Sequence, residues 1–168
     1  NSPGSLAAAS VVTVNAGGFN FLFVISPSTT KASQRCFYGL TSSAAATPAG
    51  ADPPTTNMLG FAKNTADTNL QFVRNDGAGG RNVTDIGITH ESLQADYLLG
   101  RIWAPPGATR VLWELINLTD GLVYSSNSTT QFPAADTLLY PHFWVDTAAT
   151  NTDPVAIEVV RMELISNP

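Results

Sequence analysis

Carboxylates are the first residues to consider for chemistry, because two of them facing each other across a cleft can hydrolyse a glycosidic bond. Glu114 stands alone within Trp113-Glu114-Leu115, with no second carboxylate at an alternating position of that segment. Glu158 and Glu163 flank Arg161, whose positive charge keeps carboxylates ionised and unsuited to general-acid work. The pattern therefore predicts a ladder of surface charges rather than a glycosidase pair.

Nucleophilic catalysis requires a serine or cysteine beside a base. The segment Gly39-Leu40-Thr41-Ser42-Ser43 does not match the Gly-x-Ser-x-Gly turn of many hydrolases. His90 and His142 have no partners at motif spacing and are predicted to be surface or capping residues. Cys36, the single cysteine, is predicted to be a small apolar core residue. We therefore expect no catalytic site and no enzyme.

Metal and cofactor sites are not expected either. The loop Asn75–Gly80 holds one carboxylate and misses the EF-hand spacing, so a turn is favoured there. Asp146 and Asp153, around a loop rich in threonine and asparagine, offer a less favoured cation site. No glycine-rich phosphate loop leads into a helix, which argues against nucleotides.

Aromatic residues provide the remaining signal for binding. Sugar sites combine a flat ring for the apolar sugar face with amide, carboxylate or guanidinium groups for the hydroxyls. The segment Tyr140–Asp146 supplies both kinds, and Trp103 lies beside the loop Pro105-Pro106-Gly107. Aromatic residues in alternating strands are usually core, so Trp144 is either a core residue or a ligand or subunit contact. The candidate ligand-binding residues are Trp144, His142, Tyr140, Asp146 and Trp103.

The elements that must position these side chains have a hydrophobic period of two. Phe19, Phe21, Phe23 and Ile25 share one face of a strand and are predicted to be core. Turn-forming runs rich in glycine, proline, asparagine and aspartate separate similar segments. We predict an all-β fold, an antiparallel β-sandwich, jelly-roll-like, with about ten short strands. Besides 19–25, the expected strands are 35–40, 57–63, 69–74, 82–88, 96–103, 110–117, 122–125, 138–145 and 155–165.

The order of these strands predicts local topology. Residues 70–74 and 81–88 should form one hairpin, and 96–103 and 110–117 another. The span from Leu59 to Tyr124 is expected to be one antiparallel meander, with at most one short helix around Ser92. A bulge at Val159/Val160 would place Glu158, Arg161 and Glu163 together on a polar face and keep carboxylates out of the core.

Composition limits the partners. Charged residues make up 12% of the 168-residue chain, about half the ~25% usual in globular domains. A net charge of -5 with scattered cations argues against nucleic acid. No apolar run is long enough for a spanning helix, so membrane insertion is not expected, and no signal peptide is evident. We expect residues 1–10 to be a flexible lead-in and 11–168 to be a single domain.

A set of motifs, mostly turns, runs from Phe61 to Pro133 and covers about half of the chain. The residues that form these motifs are Asp67, Asn69, Asn75-Asp76-Gly77, Gly79, Ile86-Gly87, Ala104-Pro105-Pro106-Gly107, Trp113, Asn117-Leu118-Thr119, Gly121, Thr130 and Pro133-Ala134. With these residues the span resembles the C-terminal β-sandwich module of phage and prophage tail-fibre and other virion proteins, although Phe132 stands where that module has leucine.

The resemblance implies a homotrimer at the tip of an extracellular virion appendage, and it carries over no catalytic residue. It predicts a receptor-binding tip that recognises host cell-surface polysaccharide or contacts other virion proteins. Two alternatives stay open. One is a stand-alone, lectin-like carbohydrate-binding module, and the other is a capsid-decoration or baseplate protein without a receptor. A polysaccharide depolymerase is less favoured, because no carboxylate pair stands out.

Overall fold

A computed structural model describes residues 18–43, 56–134, 137–147 and 154–166. These residues form ten strands and one short 3-10 turn, His90–Leu93. The expected lead-in 1–10 and Asp153 lie outside the described residues. None of the described helices is long and apolar enough to cross a membrane. The strands are β1 Phe19–Thr29, β2 Gln34–Thr41, β3 Met58–Lys63, β4 Asn69–Asn75, β5 Asn82–Thr89, β6 Leu98–Ala104, β7 Val111–Asn117, β8 Val123–Ser128, β9 Tyr140–Thr147 and β10 Ala156–Ser166.

The strands form two five-stranded antiparallel sheets that pack face to face. Sheet I has the order β10-β1-β6-β7-β8, and sheet II has the order β5-β4-β3-β2-β9. Every segment predicted as a strand forms one, and the all-β sandwich is confirmed. Both predicted hairpins are confirmed too, as the antiparallel pairs β4–β5 and β6–β7.

The core lies between the two sheets and is rich in aromatic rings. The inward side chains of β1 are at most 2% exposed, which confirms Phe19, Phe21, Phe23 and Ile25 as core. Phe23 meets Phe61 of sheet II edge-to-face, with ring centroids 6.0 Å apart. Offset and edge contacts of this kind add to the stabilisation that apolar burial provides. The core thus fixes which face of each strand points outward.

The predicted single meander from Leu59 to Tyr124 is wrong. Strands β3 to β5 form a meander in sheet II, and β6 to β8 form a second one in sheet I. The chain crosses between the sheets through the turn His90–Leu93, where His90 and Leu93 are buried. A buried side chain thus lies at each end of this turn, and after the crossing β6 pairs with β1 rather than with β5.

The bulge predicted in β10 is confirmed. Val24 pairs with Arg161 while Ile25 pairs with Val159, so Val160 is the extra residue. Beyond the bulge, Glu158 pairs with Ser26, whereas Glu163 pairs with Leu22. Arg161 and Glu163 form an exposed ion pair with an N–O distance of 2.7 Å. Carboxylates therefore stay out of the core at the cost of one irregular backbone position.

Candidate functional site

The outer face of sheet I alternates with the core face along each strand. In β6 and β7 every second side chain is buried and the others are half-buried. Strand register places Asn20, Trp103, Leu112 and Asn127 in one row across the sheet. The adjacent row contains Leu22, Arg101, Glu114 and Ser125. We call these two rows the Trp103 face. Their side chains are a mixture of polar, charged, aromatic and aliphatic groups.

Arg101 is held in place on this face by two neighbours. Its guanidinium lies over the Trp103 ring, with Cζ 4.4 Å from the ring centroid. Its Nε donates a hydrogen bond of 2.8 Å to Oδ1 of Asn20 on the adjacent strand. Stacking and hydrogen bonding together fix the plane of the guanidinium beside the indole. The two terminal nitrogens make no hydrogen bond to the described residues and are available to a ligand.

Glu114 completes the constellation. It lies directly opposite Arg101 in the register of β6 and β7. Opposite charges at such positions usually pair, yet Glu114 makes no ion pair or hydrogen bond with any described residue. Asn20 and Trp103 orient Arg101 instead. The Trp103 face therefore carries a ring, free N–H donors and a free carboxylate acceptor side by side.

Four of the five predicted ligand-binding residues lie together on the other sheet. Tyr140, His142, Trp144 and Asp146 occupy one face of the edge strand β9, and all four are partly buried. Asp146 forms an ion pair with Arg35 of β2, and the Arg35 guanidinium lies 5.9 Å from the Trp144 ring centroid. The fifth residue, Trp103, lies on the opposite side of the sandwich.

The candidate residues of the two surfaces are buried to a similar degree, but the strands beside them differ. Behind Trp144, the outer face of sheet II is a second packed cluster, in which Phe37, Met58, Ala62 and Val73 are at most 1% exposed. Arg35 is also only 1% exposed. By contrast, the outward side chains of β6 and β7 on the Trp103 face are all half-buried. A ligand at the Trp103 face would meet half-buried side chains that include Arg101 and Glu114.

Sequence reasoning identified Trp103 but not Arg101 or Asn20 as candidate site residues, and it treated Glu114 as isolated. Arg101 and Trp103 are two residues apart, which puts them on one face of any strand. The contribution of Asn20 could be found only from the pairing of β1 with β6, a contact between distant parts of the chain. No local pattern in a single sequence fixes that register.

The prediction for His90 is wrong, because this residue is fully buried rather than at the surface. Its Nε2 lies 3.5 Å from Sγ of Cys36 and 3.3 Å from the Tyr38 hydroxyl. Burial, aided by the positive charge of Lys63, lowers the pKa of His90 to about 4. Burial raises the pKa of Cys36 to about 12, and its place in the core is as predicted. Thiol and imidazole are both neutral, so this pair lacks the thiolate that a cysteine nucleophile needs.

A small cavity lies beside Lys63, lined also by Asp67 and Glu91, with a volume of about 190 Å³. That is below the roughly 300 Å³ of typical ligand pockets. Nζ of Lys63 donates to the carbonyl oxygens of Ala32, Gln34 and Asn64 at 2.7–3.1 Å. All three ammonium donors are used, so Lys63 has a structural role here.

The loop Asn75–Gly80 forms the turn that was favoured over a calcium site. Oδ1 of Asn75 accepts a hydrogen bond from the Gly77 amide, and Oδ1 of Asp76 accepts one from the Ala78 amide. Side-chain oxygens are thereby used to close the turn. Among the described residues, no group of histidine, cysteine and carboxylate side chains is arranged to hold a metal ion.

Solved structures show what this fold is similar to. Arcelin-5, a lectin-like defence protein from Phaseolus vulgaris, superimposes with a TM-score of 0.57 over 90% of this chain and 69% of its own, at 11% identity. Peanut lectin gives a TM-score of 0.54 over 90% and 73%, at 10% identity. The fold is a lectin-like β-sandwich. No protein-family model and no curated protein matches the sequence.

A peptidase shares the same fold. Scytalido-glutamic peptidase superimposes with a TM-score of 0.51 over 94% of this chain and 79% of its own, at 14% identity. The prediction that this chain is no enzyme is therefore wrong as it was argued. That prediction rested on the absence of serine, cysteine and paired-carboxylate motifs, whereas a β-sandwich of this kind also supports a glutamic peptidase.

Proposed function

We propose that this chain is a lectin-like carbohydrate-binding module that holds a glycan on the Trp103 face. The observation that carries the proposal is the set of free groups around the half-buried indole. The terminal nitrogens of Arg101 donate, and the carboxylate of Glu114 accepts. Vicinal sugar hydroxyls need both donors and acceptors, and the apolar face of a sugar ring packs on an indole.

The shape of the face suits an extended glycan. Five strands at a spacing of ~4.8 Å give a surface about 20 Å wide. Leu22 and Leu112 provide half-buried apolar contacts on either side of the central polar groups. Asn127 and Ser125 of β8 offer further hydrogen-bonding groups at one end. Several sugar units can thus contact the sheet at once.

A printed array of neutral and acidic oligosaccharides, including bacterial surface polysaccharides, tests the proposal. We expect the wild-type chain to bind a subset of these glycans. Arg101→Ala and Glu114→Gln should each reduce the signal for the same glycans, because each removes polar contacts to sugar hydroxyls. Arg81→Ala, which changes a cation outside the Trp103 face, is the matched control and should bind normally. Unchanged binding by both Trp103-face variants would overturn the proposed site.

A peptidase activity is the second candidate, favoured by the free, half-buried carboxylate of Glu114 on the outer face of sheet I. A carboxylate can activate water, and the neighbouring guanidinium of Arg101 can stabilise a developing oxyanion. Incubation with denatured casein from about pH 3 to pH 8 covers the range in which a glutamate acts as acid or base. Cleavage that Glu114→Gln abolishes would establish this function; no cleavage at any of these pH values would remove it.

The setting on a phage appendage stays a prediction, supported by the motifs between Phe61 and Pro133. A module at such a tip would meet host surface polysaccharide, which agrees with a glycan on the Trp103 face. Antibody labelling of virions would locate the chain on a tail fibre, baseplate or head. A chain absent from virions would contradict this setting without affecting glycan binding.

A further inference from the structure

The four edge strands of the sandwich are protected to different degrees. An exposed strand edge can pair with another chain, and proteins block such edges with short polar strands, bulges, charges or proline. β8 has only six residues, mostly serine and asparagine. β5 has an irregular register beside Gly87 and exposes Asp85. β9 contains Pro141.

β10 has a bulge at Val160 and an exposed ion pair between Arg161 and Glu163, yet it is the longest and most apolar of the four edge strands. It is 11 residues long and pairs only with β1 among the described strands, which leaves its other edge open. Four of its large apolar side chains are exposed. Val159 is 45% exposed, Val160 51%, Met162 36% and Ile165 46%. A long apolar edge of this kind is costly to leave in water and is suited to strand pairing.

We propose that β10 pairs with β10 of a second copy of this chain, antiparallel about a two-fold axis at Met162. Strand pairing of this type is isologous, so each copy contributes the same residues. Main-chain hydrogen bonds supply the pairing, and the apolar side chains of the two edges cover each other.

Charge determines the register. In antiparallel strands, residues on one face must oppose residues on the same face. Arg161 and Glu163 share the outer face, as their ion pair shows. An axis at Met162 places Arg161 of each copy opposite Glu163 of the other copy, so the dimer contains this pair twice. Moving the axis to position 161 or 163 would instead oppose two arginines or two glutamates, which is destabilising.

The apolar residues agree with this register. Val160 faces the partner's Leu164, and Met162 faces the partner's Met162. Leu164 already packs against the core cluster, so the contact would continue the apolar interior of each sandwich across the dimer. The two copies of sheet I would then form one continuous sheet.

The dimer has a consequence for binding, which rests on the proposed function. A two-fold axis perpendicular to the plane of the joined sheet keeps the outer faces of the two copies on the same side of the dimer. Trp103 lies on the third strand from the β10 edge. With strands ~4.8 Å apart and ~3.4 Å per residue along them, the two Trp103 side chains would be roughly 30 Å apart. The dimer would present two glycan sites to one surface, which raises avidity.

Charge-reversal variants test the pairing. At about 100 μM, where a complex of micromolar affinity is formed, sedimentation equilibrium should give twice the 17.7 kDa chain mass for the wild type. Arg161→Glu and Glu163→Arg should each weaken self-association by about tenfold or more, because like charges then face each other twice. An equal mixture of the two variants should dimerise, since every facing pair is again opposite in charge. Arg110→Glu, an equal charge change in the β6–β7 turn, is the control.

The outcomes separate the alternatives. A monomeric wild type, a mass of three chains, or single variants that associate normally would each overturn the β10 dimer. A mixture that stays monomeric would overturn the proposed register. Sedimentation needs no glycan, so a failed glycan array leaves this result unaffected. Conversely, Trp103→Ala should weaken glycan binding by roughly 30-fold and leave the dimer intact.

Discussion

At the scale of single residues, the buried polar cluster of Cys36, Tyr38 and His90 makes the protein sensitive to acid. The folded protein holds His90 neutral, with a pKa of about 4 against a reference of 6.5. The unfolded chain therefore binds one more proton than the folded one between those pH values. Stability from this group is complete above pH 6.5 and is lost as the pH falls towards 4.

Urea unfolding at a series of pH values measures this effect. The free energy of unfolding should fall by about 3 kcal/mol between pH 7 and pH 4, at 1.36 kcal/mol per pKa unit. His142, whose pKa burial also lowers, adds to the fall. His90→Gln should be less stable at neutral pH but should show a flatter pH profile. An unchanged slope in that variant would show that His90 is not responsible.

At the scale of strands, close approach of backbone and ring explains one glycine. A Cβ added to Gly100 of β6 would lie 2.1 Å from Cζ of Phe23, which lies across it in the core. Overpacking of this kind costs about 1–3 kcal/mol. Gly100→Ala should therefore lower the urea midpoint, whereas Gly79→Ala, which has open space around it, should not. Equal midpoints for the two variants would contradict the packing described here.

The sequence predicts a strand wherever apolar and polar residues alternate along it and turn-forming residues follow directly. The segment 19–25 shows its core face directly, and the runs at residues 75–80 and 104–107 mark the hairpin turns. The bulge at Val160 followed from the cost of burying a carboxylate. The crossing at His90 was not predictable, because a polar residue beside a strand gives no sign that it will be fully buried. The partners β1–β6 and β2–β9 are far apart in sequence, so local patterns cannot specify them.

At the scale of the whole molecule, the sandwich presents two tryptophan surfaces on opposite sides. Composition and strand count predicted the sandwich, since many short alternating segments with polar turns have few other stable arrangements. They could not indicate which outer face is open, because both carry aromatic residues. That difference arises from burial behind Trp144, and from the unpaired terminal nitrogens of Arg101 and the unpaired carboxylate of Glu114 on the Trp103 face.

Binding of the best array glycan, measured by isothermal titration calorimetry on Trp103→Ala and Trp144→Ala, tests the central claim most directly. Loss of an aromatic contact at the centre of a site costs about 2 kcal/mol, or roughly 30-fold in Kd. We expect that loss for Trp103→Ala and near-normal affinity for Trp144→Ala, with both variants folded by circular dichroism. Normal binding by Trp103→Ala together with loss in Trp144→Ala would contradict the account and place the site on β9.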